Sequence, residues 1–127
     1  MSFKTDDGGY TAKDMKMKIG NEEVDVIWED NESVKALREL VGSGTVSINM
    51  SMYGGFEQVG DIGTSLPRND AQTTTSCGDI VLYSGDKLVV FYGSNSWSYT
   101  KLGKIFGLDK AQLTELLSEG DVTITIW

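Results

Sequence analysis

Short runs of alternating apolar and polar residues recur along most of the chain, and they restrict the fold more than any other feature. Met15, Met17 and Ile19 alternate with Lys16 and Lys18. Val24, Val26 and Trp28 alternate with Asp25, Ile27 and Glu29. Val46, Ile48, Met50 and Met52 alternate with Ser47, Asn49, Ser51 and Tyr53. Val122, Ile124 and Ile126 alternate with Thr123 and Thr125. A period of two sends successive side chains to opposite faces, so each run reads as a strand with one face to bury. Gly20-Asn21 turns the first pair into a hairpin. In GDIVLYSGDKLVVFYG, strands near 79–83 and 87–92 flank a Ser84-Gly85-Asp86 turn.

Two segments change period. In DNESVKALRELVGSG, Asp30 or Asn31 caps a helix over about 31–41. Val34, Leu37 and Val41 form its apolar stripe, and Gly42 stops it. In LDKAQLTELLSEG, Asp109 caps a second helix, Leu113, Leu116 and Leu117 face inward, and Gly120 ends it. Residues 56–76 read as a long loop with short extended pieces, and Ser98–Ile105 as one more short strand or turn. Residues 1–14 read as a flexible tail and 15–127 as one domain, in keeping with a 127-residue chain. Many half-apolar strands must hide their edges. The expected fold is therefore mainly β: a closed barrel of about eight strands with two short helices capping its ends.

Composition removes several kinds of function. With 11 Lys+Arg against 19 Asp+Glu, the net charge is −8, which speaks against nucleic acid and against an anionic membrane surface. The acidity is read as solubility, with a cationic partner as the minor alternative. The absence of histidine removes Ser-His-Asp and Cys-His catalysis and any histidine-bearing zinc site. Cys77 is the single cysteine, so no intramolecular disulfide forms, and it reads as a small residue near a strand start. The acids follow no calcium-loop spacing, so no metal, cofactor or catalytic residue is assigned. The methionines at 15, 17, 50 and 52 read as core filling. No apolar leader or 18-residue apolar run is visible, so a cytoplasmic location is expected, with a processed exported domain as the other reading. Oligomeric state stays open.

The segments MKIGN, NESVKALRELV, SINMSMYGGFEQVG, GDIVLYSGDKLVVFYGSNSWSYTKLGKI and GDVTITIW, in this order, resemble the bacterial cyclophilin-like domain family over about residues 15–127. The resemblance implies a closed β-barrel with two helices, like that of the prolyl isomerases. Isomerase activity does not follow from a fold. Cyclophilins place an arginine, in a Phe-His-Arg sequence, on the strand after the first helix. The matching strand here shows Ser47, Asn49, Ser51 and Tyr53 on its polar face. Only Arg38 and Arg68 exist in the chain: Arg38 reads as a solvated helix residue, and Arg68 is the one arginine with a conceivable place in a cleft.

The ligand-binding residues expected from the sequence are Asn49, Ser51, Tyr53, Phe56, Glu57, Tyr92, Ser94, Trp97 and Tyr99. Each has a plainer reading. Gly54-Gly55-Phe56-Glu57 is a cleft rim or a glycine turn with a packed ring. Phe91 and Tyr92 must point to opposite faces, one into the barrel and one outward. Trp97 and Tyr99 share a face of a groove or pack beneath the helices. Ser94, Asn95 and Ser96 are turn residues first. The favoured function is a module binding a peptide or small ligand without strong catalysis. A divergent prolyl isomerase and a protein-interaction module are the alternatives.

Overall fold

The structure, a computed structural model, describes residues 15–127, so the expected tail lies outside the described residues. The strands are β1 (Met17–Ile19), β2 (Glu22–Trp28), β3 (Val46–Tyr53), β4 (Glu57–Asp61), β5 (Ala71–Thr74), β6 (Asp79–Tyr83), β7 (Lys87–Phe91), β8 (Ser96–Phe106) and β9 (Val122–Ile126). They pair antiparallel in the order β2-β1-β9-β3-β4-β7-β6-β8, and β2 closes the circle on β8. The result is a closed eight-stranded barrel. β5 is an additional strand on the first half of β8, with Ala71 opposite Tyr99 and Thr73 opposite Trp97.

Alternation decides what the barrel encloses. Met17, Ile19, Ile48, Met50, Ile80, Leu82, Leu88, Val90, Ile124 and Ile126 meet in one interior cluster. Helix α1 (Glu32–Val41) adds Val34, Leu37 and Val41, and α2 (Lys110–Leu117) adds Leu113 and Leu117. Both helices begin as their sequences require. Asn31 Oδ1 accepts from the Val34 amide at 2.9 Å, and Asp109 and Gln112 form a reciprocal capping box. At the end of α1, Gly42 adopts φ +56° while its amide reaches the Arg38 carbonyl. Full burial of each aliphatic side chain contributes about 1.5–3 kcal/mol, so the shared interior binds helices to barrel.

Three expectations change. Residues 56–76 contain two strands, and β4 is a central barrel stave rather than loop. Its inward positions are Gln58 and Gly60, neither of which carries an apolar signal. Gln58 Nε2 donates to the carbonyls of Leu117 and Gly120 at 2.8 Å each, holding the end of α2. A Cβ on Gly60 would meet Met50 Sδ at 2.6 Å and Ile48 Cγ2 at 2.7 Å, so glycine lets β3 pack across. The segment read as 98–105 is an eleven-residue strand that serves β2, β5 and β6 in turn. A register shift beside Ile80 and Val81 breaks its alternation. Met52, expected in the core, is exposed at the end of β3.

Candidate functional site

Outside the barrel a second apolar cluster covers the β4–β7–β6 layer. Val81, Val89, Phe91 and Tyr99 are its buried members, with Phe56 and Val59 packed against them. It arises from the other half of the strand alternation. Across the sheet, Tyr53, Glu57 and Phe91 stand in one row, and Ser51, Val59, Val89 and Val81 in the next. Phe91 is therefore on the outer face, yet it is fully buried beneath other rings. Phe56 stacks on it at 6.4 Å between centroids, and Tyr99 meets it edge-on at 5.7 Å.

Phe56 is held by its surroundings. Its carbonyl accepts from the amides of Tyr92 and Gly93 at 3.0 and 2.9 Å. A Cβ at Gly54 would lie 2.2 Å from the Phe56 ring, and one at Gly93 would lie 2.7 Å from Phe56 Cβ. Both glycines are thus required by space, and Gly54 additionally by its φ of +67°.

Above this floor opens a groove of about 760 Å³, lined by Tyr53, Gly54, Phe56, Val59, Tyr83, Asn95, Trp97 and Tyr99. Its size matches that of small-molecule sites. Tyr83 meets Tyr99 edge-on at 6.1 Å, and Asn95 Nδ2 donates to Tyr99 Oη at 2.8 Å. Thr75 fixes Asn95 in turn, its Oγ1 accepting from the Asn95 amide at 2.9 Å. Trp97 stays 55% exposed at the rim.

Among the described residues, this layer also buries an acid, Glu57. It is only 6% exposed, and its Oε1 has no hydrogen-bond partner. It shares the outer face of β4 with Val59, which lines the groove. Burial pushes its carboxyl up to about 7. Burial also raises the Tyr99 phenol; the Asn95 bond draws it partly back, and the Glu57 charge adds to the rise.

Of the residues expected from the sequence, the groove brings together Tyr53, Phe56, Trp97 and Tyr99, with Glu57 on the same face. Ser51 stands opposite Val59 on that face, outside the lining, and Asn49 lies further along, opposite Thr123. Tyr92 is placed in the barrel interior, away from the groove. Ser94 Oγ donates to the Thr75 carbonyl at 2.6 Å, a turn role. The sequence reading missed Val59, Tyr83 and Asn95. For Tyr83 the signal was present, since it shares parity with Val81 on a strand that had been placed correctly.

Arg68 lies elsewhere. Its Nε donates to Asp70 Oδ2 at 2.8 Å, and Asp70 Oδ1 accepts from Thr100 Oγ1 at 2.7 Å. Arg68 borders a separate pocket of about 690 Å³, together with Asn31, Ser33, Pro67 and Lys101, with Tyr99 as the wall common to both. Among the described residues, no group of three or more acids and cysteines is gathered to hold a metal ion, and no helix is long and apolar enough to cross a membrane.

A family model described as the cyclophilin-like family matches residues 17–127. The chain belongs to the cyclophilin-like family. No curated protein sequence matches it. Among solved structures, McbB in complex with tryptophan has a similar fold, with a TM-score of 0.63 at 13% sequence identity. That match covers 89% of this chain and 44% of McbB, so this cyclophilin-like chain spans less than half the length of that relative. At this identity the likeness concerns the fold alone.

Proposed function

We propose that this cyclophilin-like barrel binds a small ligand, or the flat side chain of a short peptide, in the aromatic groove on its outer face, without strong catalysis. The observation that carries the reading is the groove itself: a concave, ring-lined space on a floor packed in advance, outside a complete barrel. Rings stack on flat apolar groups, and the polar edges of Tyr53, Asn95 and Trp97 supply orientation. That McbB was captured with tryptophan is compatible with a flat ligand in this fold.

Prolyl isomerisation finds less support. Rotation about the amide crosses a barrier of about 18–20 kcal/mol, so the twisted form must be favoured over both planar ones. The groove lining contains no arginine or lysine, and Arg68 is engaged by Asp70 in the neighbouring pocket. A binding module needs neither.

Titration of the isotope-labelled protein with aromatic fragments and proline-containing peptides, followed by NMR, tests the reading. The expected shifts concentrate at Val59, Tyr83, Asn95, Trp97 and Tyr99. Shifts confined to other surfaces would end the proposal. A prolyl-peptide assay run alongside is expected to show the uncatalysed rate, and acceleration abolished by a groove substitution would install the isomerase in its place.

A further inference from the structure

Beside the groove, next to its lining residues Tyr53 and Phe56, the outer sheet face carries a buried acid, Glu57, and no cation stands in the lining. Among the described residues, three buried side-chain atoms lack a hydrogen-bond partner: Glu57 Oε1, Gln58 Oε1 and Tyr92 Oη. Gln58 points inward, and Tyr92 belongs to the interior cluster. Glu57 alone stands on the groove's side of the sheet. An unpartnered buried carboxyl is costly, and a ligand that donates to it removes that cost.

We propose that the groove selects an organic cation: a protonated amine on a flat apolar body, donating an N–H to Glu57 Oε1 with its charge against the ring faces. This rests on the ligand-groove reading above and names the class of ligand. Tyr53, Phe56, Tyr83, Trp97 and Tyr99 present rings whose faces carry negative potential, which attracts ammonium groups and repels anions. The whole chain, at −8, adds a field of the same sign.

The groups around Glu57 leave this choice intact. Tyr53 on β3, Tyr83 on β6 and Tyr99 on β8 are phenols. On its own strand Asp61 pairs with Lys87 of β7 at 2.8 Å, at the far end of the sheet. Asp79 of β6 pairs with Lys104 of β8 at 3.1 Å, beyond Phe91. Lys101 of β8 borders the separate pocket with Glu32. Lys87 and Lys104 are thus engaged elsewhere, and no lysine or arginine lines the groove. The cation binds the ionised carboxylate, so below the Glu57 titration near 7 binding releases a proton, and affinity falls as pH falls.

Three probes of one shape separate the possibilities: 2-phenylethylamine, protonated throughout, 2-phenylethanol, neutral, and 3-phenylpropionate, anionic. Their affinities are read from the Trp97 indole and Tyr99 NMR signals. The amine is expected to bind at least about tenfold more tightly than the alcohol at about pH 8. Its affinity is expected to fall about thirtyfold between about pH 8 and pH 5.5, while that of the alcohol stays flat. Glu57→Gln should erase both the preference and the pH slope. Equal binding of amine and alcohol, or an amine affinity indifferent to pH, overturns the cation proposal and leaves the groove standing. Binding of the anion in preference overturns it equally. Silence of the Trp97 and Tyr99 signals toward all three probes removes the groove reading as well. The wild-type pH profile decides even if the variant fails to fold.

Discussion

The β4–β7–β6 layer has two apolar faces that are finished in different ways. Inside, aliphatic side chains such as Ile80, Leu82, Leu88 and Val90 are sealed by neighbouring strands and both helices. Outside, Val81 and Val89 are covered by rings, Phe56, Phe91 and Tyr99, and the covering stops at an open groove. The polar groups differ too. Each has an unpartnered side-chain oxygen, but Gln58, facing inward, commits both donors to the end of α2, whereas Glu57, its neighbour facing outward, is held by no such bond. One strand thus carries, in consecutive positions, a polar residue that ties down a helix end and the acid proposed to meet a ligand. Apolar burial by itself does not mark a core: Val81, Val89 and Phe91 are as buried as Leu82, yet they lie outside the barrel.

The strongest way to break this contrast is to remove the outer floor. Phe91→Ala is expected to cost about 3–5 kcal/mol, comparable to about 2–5 for Leu82→Ala inside. Urea denaturation measures both, and a cost below about 1 kcal/mol for Phe91→Ala would show the outer cluster to be superficial.

Next in size is Glu57. Its folded carboxyl titrates near 7 against an ordinary 4.5, so the folded state holds its proton longer than the unfolded one. Stability is then greatest below about pH 4.5, declines by about 1.4 kcal/mol per unit up to about 7, and is level above. Glu57→Gln should stabilise the protein by up to about 3 kcal/mol at neutral pH and by little at pH 4. Denaturation midpoints at the two pH values check this; equal effects at both would mean that Glu57 is not the neutralised group.

A matched pair of glycines sharpens the comparison further. Gly60→Ala crowds the interior and Gly93→Ala crowds Phe56, each at a cost of about 1–3 kcal/mol. Only Gly93→Ala should weaken ligand binding, as titration of both variants will show. The smallest effect on folding belongs to Trp97→Ala. At an exposed rim it should change stability by no more than about 0.5 kcal/mol, yet reduce affinity about tenfold, the scale of one lost ring contact. Calorimetry paired with denaturation separates the two.

Much of the barrel was legible because its interior obeys period two. β3, β6, β7 and β9 each declare an inner face through Ile48, Leu82, Leu88 or Ile124. β4 was illegible because its inner positions answer to other demands, a helix end for Gln58 and close packing for Gly60. β8 was only half legible, since its register shift resets the alternation that would have joined Trp97 and Tyr99 to the barrel wall. The site followed the same logic. Tyr53, Phe56, Trp97 and Tyr99 could be named as aromatics near a polar strand, but parity alone could not send Tyr92 inward and Phe91 outward. Asn95 was hidden because its place depends on Thr75, twenty residues away.

Phe56, wedged between two glycines and stacked on Phe91, has a consequence for kinetics. Its ordering entropy is lost when the chain folds, so the proposed ligand would find the floor already built. On that proposal arrival would be governed by encounter alone, and ligands of similar size and charge are expected to reach the groove at similar rates. What distinguishes them is how long they stay.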